Sequence, residues 1–197
     1  MLDEKTYNLM RRKYGHVGSW AVWSPAGETP RSNTDDMSWA DDKDLLKTLN
    51  TGFVFVGLNW SSTHGDEGCK EDIAWTNFHS GYCRQNDYKL RYALQGTKYW
   101  GSYLTDVIKL YAEVDSGKVR AYLRRHPEVV ASNIQDFIEE ISLLGNNPVI
   151  VALGAQAYQI LKKNYPKGGQ IVQVKHYSAA IGKEEYQREL LDALGKC

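Results

Sequence analysis

The sequence predicts an α/β fold, a three-layer α/β/α sandwich around a central, mainly parallel four-stranded sheet. Three observations predict it. Four short apolar runs, rich in branched and aromatic residues, are separated by stretches of helical periodicity. Their apolarity is nearly continuous rather than strictly alternating, as expected of strands covered on both faces. The succession of strand and helix is that of units that lay helices against both sides of a parallel sheet.

The first strand is "GFVFVGL", around Phe53 to Val56, and the second is "SYLTDVIKL", around Tyr103 to Ile108. A helix follows, in which Ile134, Phe137, Ile138 and Ile141 recur at helical spacing, and Gly145 with Pro148 ends it. The third strand is "PVIVALG", Val149 to Leu153, after which Gly154 opens a short helix from Ala155 to Lys163. The fourth strand, "QIVQVKH", covers Ile171 to Val174, and Tyr186, Leu190, Leu191 and Leu194 mark a final helix. Residues 1–197 read as one domain, with residues 1–50 an N-terminal elaboration of it. Within that elaboration "YGHVGSWAVWSP" is strand-like, and "GETPRSNTDDMSWADDKD" reads as a loop followed by a capped helix.

Composition narrows the class without naming a partner. The 24 Lys and Arg residues balance 24 Asp and Glu residues, so attraction to nucleic acid must come from a local patch. Basic clusters stand at Arg11, Arg12, Lys13 and at Arg124, Arg125, His126, opposed by Asp35, Asp36, Asp41, Asp42 and Asp44; such runs are commonly solvated faces. No segment reaches the roughly 18 apolar residues of a membrane span, and the amino end has no apolar signal core, so an intracellular, cytoplasmic protein without a membrane partner is expected. Three cysteines, Cys69, Cys83 and Cys197, suit a reducing compartment better than a disulfide framework. His64, Cys69, His79 and Cys83 form a loose cluster, but their spacing matches none of the tight pairs of structural zinc sites; neither metal nor cofactor is expected.

In a parallel sheet, ligands gather beyond the carboxyl ends of the strands, where four loops begin here. In "VFVGLNWSS", Gly57 permits close backbone approach, Asn59 offers an amide, and Ser61 and Ser62 could meet an anion or simply form a polar turn. No Rossmann or Walker glycine spacing is present. "WTNFHSGYC" groups Trp75, Phe78, His79 and Tyr82, which suits either a flat ligand or a core. Asp106 lies in a strand whose other members are mostly apolar, where a carboxylate is costly to bury unless it faces a cleft or is paired. His176 ends the last strand ahead of a small-residue loop, a place fit for a structural histidine or a catalytic one.

Taken together these motifs resemble the uracil-DNA glycosylase superfamily, particularly its mismatch-specific and single-strand-selective branches. "GLNWS" resembles the family's first-strand motif Gly-x-Asn/Asp-Pro at Gly57 and Asn59, and "HYSAAI" resembles its last-strand His-Pro-Ser motif at His176 and Ser178. "SYLTDVIKL" looks like the base-reading strand and "VIVALGAQAYQIL" like the third strand with its helix, so the likeness spans roughly residues 53–194. Both family prolines are replaced, by Trp60 and Tyr177.

The resemblance implies a monomeric hydrolase of DNA repair that flips a base out of DNA and cleaves its N-glycosidic bond, leaving an abasic site. Asn59 would position water and hold the base edge, Phe78 would stack on the base, and His176 would hydrogen-bond the base oxygen as negative charge builds. Gly57 and Asp106 would complete the base pocket. Ser61, Ser62, Tyr177, Ser178 and Ile181 would meet DNA, with Tyr177 or Ile181 entering the base stack. Asp106 is either a general base or a base reader; an ionised carboxylate only accepts, so it suits a modified base with an exocyclic amino group better than uracil. Two alternatives stand beside this reading. One is a catalytically degenerate nucleic-acid or nucleotide binding protein of the same fold, and the other is an unrelated α/β enzyme using Asp106 and His176 on a small metabolite.

Overall fold

A computed structural model of the chain describes residues 2–60, 73–82, 85–109, 111, 113–145, 147–166 and 168–195. Its elements are α1 (Glu4–Tyr14), β1 (Ser19–Trp20), a 3₁₀ turn (Ser38–Asp41), α2 (Leu45–Thr48), β2 (Asn50–Asn59), α3 (Asp87–Leu94) and β3 (Ser102–Ile108). They continue with α4 (Ser116–Arg125), α5 (Pro127–Ser142), β4 (Val149–Leu153), α6 (Ala155–Asn164), β5 (Ile171–Val174) and α7 (Lys183–Leu194).

The sheet has five strands rather than the four expected, in the order β1-β3-β2-β4-β5. The extra strand comes from "YGHVGSWAVWSP", in which Ser19–Trp20 pairs antiparallel with the β3 edge. The four anticipated strands are mutually parallel. Their registers place Gly57 beside Asp106 and Asn59 beside Ile108.

Side-chain alternation on each strand divides the core in two. Val54, Val56, Tyr103, Val107, Ile150 and Ala152 pack with Ile134, Phe137 and Ile141 of α5 and with Ala157 and Leu161 of α6. Phe55, Leu104, Val151, Leu153 and Val174 pack instead with α3 and α7, through Leu90, Leu94, Tyr186 and Leu190. Helices thus cover both faces, and every residue of β3 is buried, Ser102, Thr105 and Asp106 included.

The N-terminal region is built into this core rather than laid upon it. Tyr7 and Met10 of α1 join Trp20, Trp75 and Tyr103, the Trp20 and Tyr103 rings meeting edge-on with centroids 4.9 Å apart. The Trp75 indole N–H donates to the Tyr7 hydroxyl at 3.0 Å. The capped helix expected after the acidic loop is reduced to the 3₁₀ turn and the four-residue α2. Asp36 and Asp42 each accept a backbone N–H two residues on, an arrangement that favours turns over a longer helix.

Candidate functional site

The parallel strands bring Asn59, Asp106, Gly154 and His176 toward one edge of the sheet, with the Gly154 N–H donating to Val174 O at 2.8 Å. Asp106 is 4% exposed, and its carboxylate lies over Gly57. A Cβ at residue 57 would collide with Asp106 Oδ1 and would stand 3.6 Å from the Phe78 ring. Glycine is therefore required there by close approach. The Asn77 amide donates to Asp106 Oδ2 at 2.9 Å and to Val17 O at 2.7 Å, so its donor is held in place from both ends. Burial pushes the Asp106 carboxyl up to about 6, against the pull of the Asn77 hydrogen bond and of Lys109.

The segment carrying Asn77 is held in an uncommon conformation. Trp75 and Phe78 have φ of 74° and 66°, a region that non-glycine residues seldom occupy. Trp75 is fixed by Ser19 Oγ donating to its carbonyl and by its own N–H donating to Gly15 O, both at 2.6 Å. Local strain of this kind persists only where surrounding contacts over-determine it.

At the end of β5, the Ser178 N–H donates to His176 Nδ1 at 3.2 Å, and Ser178 Oγ lies 2.7 Å from the same nitrogen. Nδ1 is therefore an acceptor, so the neutral ring carries its proton on Nε2. The ring is half-exposed, yet the protein crowded around it lowers its pKa to about 4, keeping it neutral at physiological pH. Tyr177 stacks on it, with centroids 4.2 Å apart, and meets Phe78 edge-on at 6.3 Å.

The Tyr177 phenol runs inward to within reach of the Asp87 carboxylate. Burial, followed by the nearby Asp87 and Asp106 carboxyls, holds that phenol well above the ordinary tyrosine range. Asp87 is 5% exposed and accepts the Ser80 N–H at 2.8 Å. Burial pushes it, too, up to about 6. Lys89, in the first turn of α3, donates to Ala179 O and Ile181 O, both at 2.9 Å, and so clamps the loop that follows Tyr177.

Gly57, Phe78, Asp106, His176, Tyr177 and Ser178 thus come together as one group. Asn59 stands apart from it. Its amide nitrogen donates to Tyr111 O at 3.0 Å and Glu113 O at 2.8 Å, stapling the chain beyond β3 and leaving Oδ1 without a hydrogen bond among the described residues. Ile181 is half-buried and packs on the core beneath the loop. Ser61 and Ser62 lie outside the described residues, as do His64, Cys69 and Cys83 of the loose metal cluster. His79 is buried, its Nε2–H donating to Trp20 O at 3.2 Å, and burial lowers its pKa to about 3. Among the described residues no group of three or more His, Cys, Asp or Glu side chains is arranged to hold a metal ion.

Asn77, Asp87, Lys89 and Tyr186 were not legible as site residues. Asp87 reads as an ordinary acid in the first turn of a helix, and Asn77 as a polar break among aromatics. An open groove of about 510 Å³ lies at the other end of β3, between Trp23, Pro25, Arg91 and Trp100. The Arg91 guanidinium beside it is engaged by the carbonyls of Ser24, Pro30 and Ser32.

No protein-family model matches the chain, and no curated protein matches it. Fold and site together define an α/β protein with a buried acid, aromatic and imidazole cluster at the carboxyl ends of a parallel sheet. No helix among the described residues is long and apolar enough to cross a membrane.

Proposed function

We propose that the chain is a DNA glycosylase of uracil-DNA glycosylase-like fold, hydrolysing the bond between C1′ of deoxyribose and a flipped mismatched or modified base. The observation that carries this reading is the His176 ring, with Nδ1 occupied as an acceptor and Nε2–H without a partner among the described residues, one aromatic ring away from a buried carboxylate lying over a glycine. In such hydrolysis the glycosidic bond breaks as water adds to C1′, and the electron pair leaves with the base. A neutral imidazole donating to the base oxygen stabilises that charge without having to lose a proton. Further support comes from position: the four segments that carry the family resemblance occupy β2, β3, β4 and β5, adjacent parallel strands of one sheet.

Asp106 supplies either the base-reading acceptor or the general base, and a carboxyl raised to about 6 suits proton transfer near neutral pH. Asn59, its amide nitrogen held by backbone carbonyls, presents Oδ1 as an acceptor for water. The test is strand cleavage by alkali after incubation with oligonucleotides carrying uracil, a thymine mismatch or modified cytosines. At least one base is expected to be released, with His176→Ala slowing release by about 10²- to 10³-fold. Binding of DNA with no alkali-labile site on any of these bases would overturn the reading.

One observation favours the alternative of a degenerate binding protein: Tyr177 occupies the space between Phe78 and His176 where a base would sit. That alternative requires DNA binding that weakens with salt and no base release, even after Tyr177 is cut back to alanine.

A further inference from the structure

The Tyr177 contacts bear on what the pocket selects, on the reading that it receives a base. Asp87 and Asp106 are two buried carboxylates on one face of the sheet, and neither is paired with a lysine or arginine on that face among the described residues. Asp87 accepts the Ser80 backbone N–H, and the Tyr177 phenol is the side-chain donor within its reach. Beside Tyr177, the Tyr186 hydroxyl is buried and has no hydrogen-bond partner among the described residues. The pocket is thus rich in acceptors, and a tyrosine side chain supplies the donor one of them needs.

We propose that Tyr177 is a resident plug of the base pocket, and that Asp87 is a specificity-determining acceptor, released when the plug swings out, that selects a base bearing an exocyclic amino group. The phenol stands in for that amino group, offering its O–H to Asp87 as the substrate would. A base presenting a carbonyl oxygen at the same place sets lone pairs against a carboxylate and leaves Asp87 buried without its second donor. Loss of a hydrogen bond in such a site discriminates strongly, because a buried polar group is left unpaired.

The backbone fixes how the plug moves. His176 and Ser178 are joined on either side of Tyr177, and Lys89 clamps the carbonyls of Ala179 and Ile181. With the chain held on both sides, opening is rotation of the Tyr177 side chain about χ1 rather than a loop movement. The same rotation uncovers the face of the His176 ring.

The test is calorimetric titration of the intact chain with free cytosine and with free uracil, together with circular dichroism of every variant to establish folding. Tyr177→Ala, which removes the plug, is expected to tighten cytosine binding by about tenfold, as when an open state populated at about a tenth becomes the resting state. Uracil binding should gain by the same factor and stay weaker than cytosine binding by about tenfold or more, because the plug hinders both bases alike while Asp87 sets their ratio. Adding Asp87→Asn, whose amide both donates and accepts, should shift the preference toward uracil. Tyr177→Phe removes the phenol alone and should give the same preference at smaller amplitude, which keeps the proposal testable if the alanine variant does not fold.

Equal affinities for the two bases in Tyr177→Ala, an unchanged preference on Asp87→Asn, or no binding of either base to any folded variant would overturn the inference. The two readings fail separately. Release of uracil from DNA, indifferent to Asp87→Asn, sinks this inference and keeps the glycosylase. The expected binding shifts without release of any base keep the plug and the acceptor and sink the glycosylase.

Discussion

The two faces of β3 handle buried charge in opposite ways. Toward α5, Lys109 Nζ lies 2.6 Å from Glu140 Oε2, two side chains almost wholly withdrawn from solvent. Tyr103 and Thr105 donate to Glu140 Oε1 at 2.7 and 3.0 Å, and Lys109 also donates to Thr105 Oγ1 and Asp106 O, both at 2.8 Å. The network is closed, charge against charge, and offers a ligand nothing. Toward α3 and α7, the next residue of the strand, Asp106, shares its face with Asp87, and burial raises both carboxyls. Groups that only hold a fold together are neutralised within the fold. Groups left short of a partner at a strand end are those a ligand can complete.

The largest expected effect lies on the closed face. Lys109→Ala leaves Glu140 charged, buried and unpaired, and should cost about 3–5 kcal/mol, on the order of 10 °C in a thermal melt. The double change Lys109→Met with Glu140→Gln removes both charges and should recover at least half of that loss. A double variant no more stable than Lys109→Ala would mean that the pair is not the unit holding this face.

On the open face the sharpest change is Gly57→Ala. Its methyl group would collide with a carboxylate that cannot retreat freely, because Asn77 holds it and is itself held by Val17. Overpacking of this sort should cost about 1–3 kcal/mol, read as a shift in the urea midpoint. The same variant should lose the cytosine binding that Tyr177→Ala gains, since the pocket floor rises by a methyl group. Alanine at 57 without loss of stability would show that Asp106 has room to move.

Much of this architecture was legible in the residues. The runs at Val149–Leu153 and Ile171–Val174 are read to the residue, because apolar strands between turn signals have sharp ends. β1 was not, because two residues carry no period, and its place on the β3 edge is set by tertiary packing of Trp20 on Tyr103. The gathering of Gly57, Asp106 and His176 follows from parallel strands ending together, which sequence order already implies. Asp87 and Lys89 do not follow from it. They reach the cleft only because α3 packs beside α7 under the loop after β5, a long-range contact with no local signature. Asn59 shows the converse, a residue whose motif is plain but whose amide is spent on the backbone of residues 111 and 113.

The smallest effect concerns pH. Asp87 and Asp106 titrate near 6 in the folded chain rather than near 4, so between about pH 4 and 6 the native state holds more protons there than the unfolded state does, and stability falls as pH rises. His79 and His176 have the opposite sign. Their folded values, about 3 and about 4, lie below the ordinary 6.5, so over the same interval the unfolded state binds the extra protons and stability rises with pH. Across that window the acids and the imidazoles oppose one another and largely cancel, the half-exposed His176 contributing less than His79. Asp106→Asn removes one of the falling contributions. Melts taken at half-unit intervals from pH 4.5 to 6 should therefore climb more steeply with pH in the variant than in the parent, by at most about 1.4 kcal/mol per pH unit for the one proton involved. Parallel profiles would show that Asp106 holds no extra proton in the folded chain, and with it would go the argument that its face of β3 is the one left short of a partner.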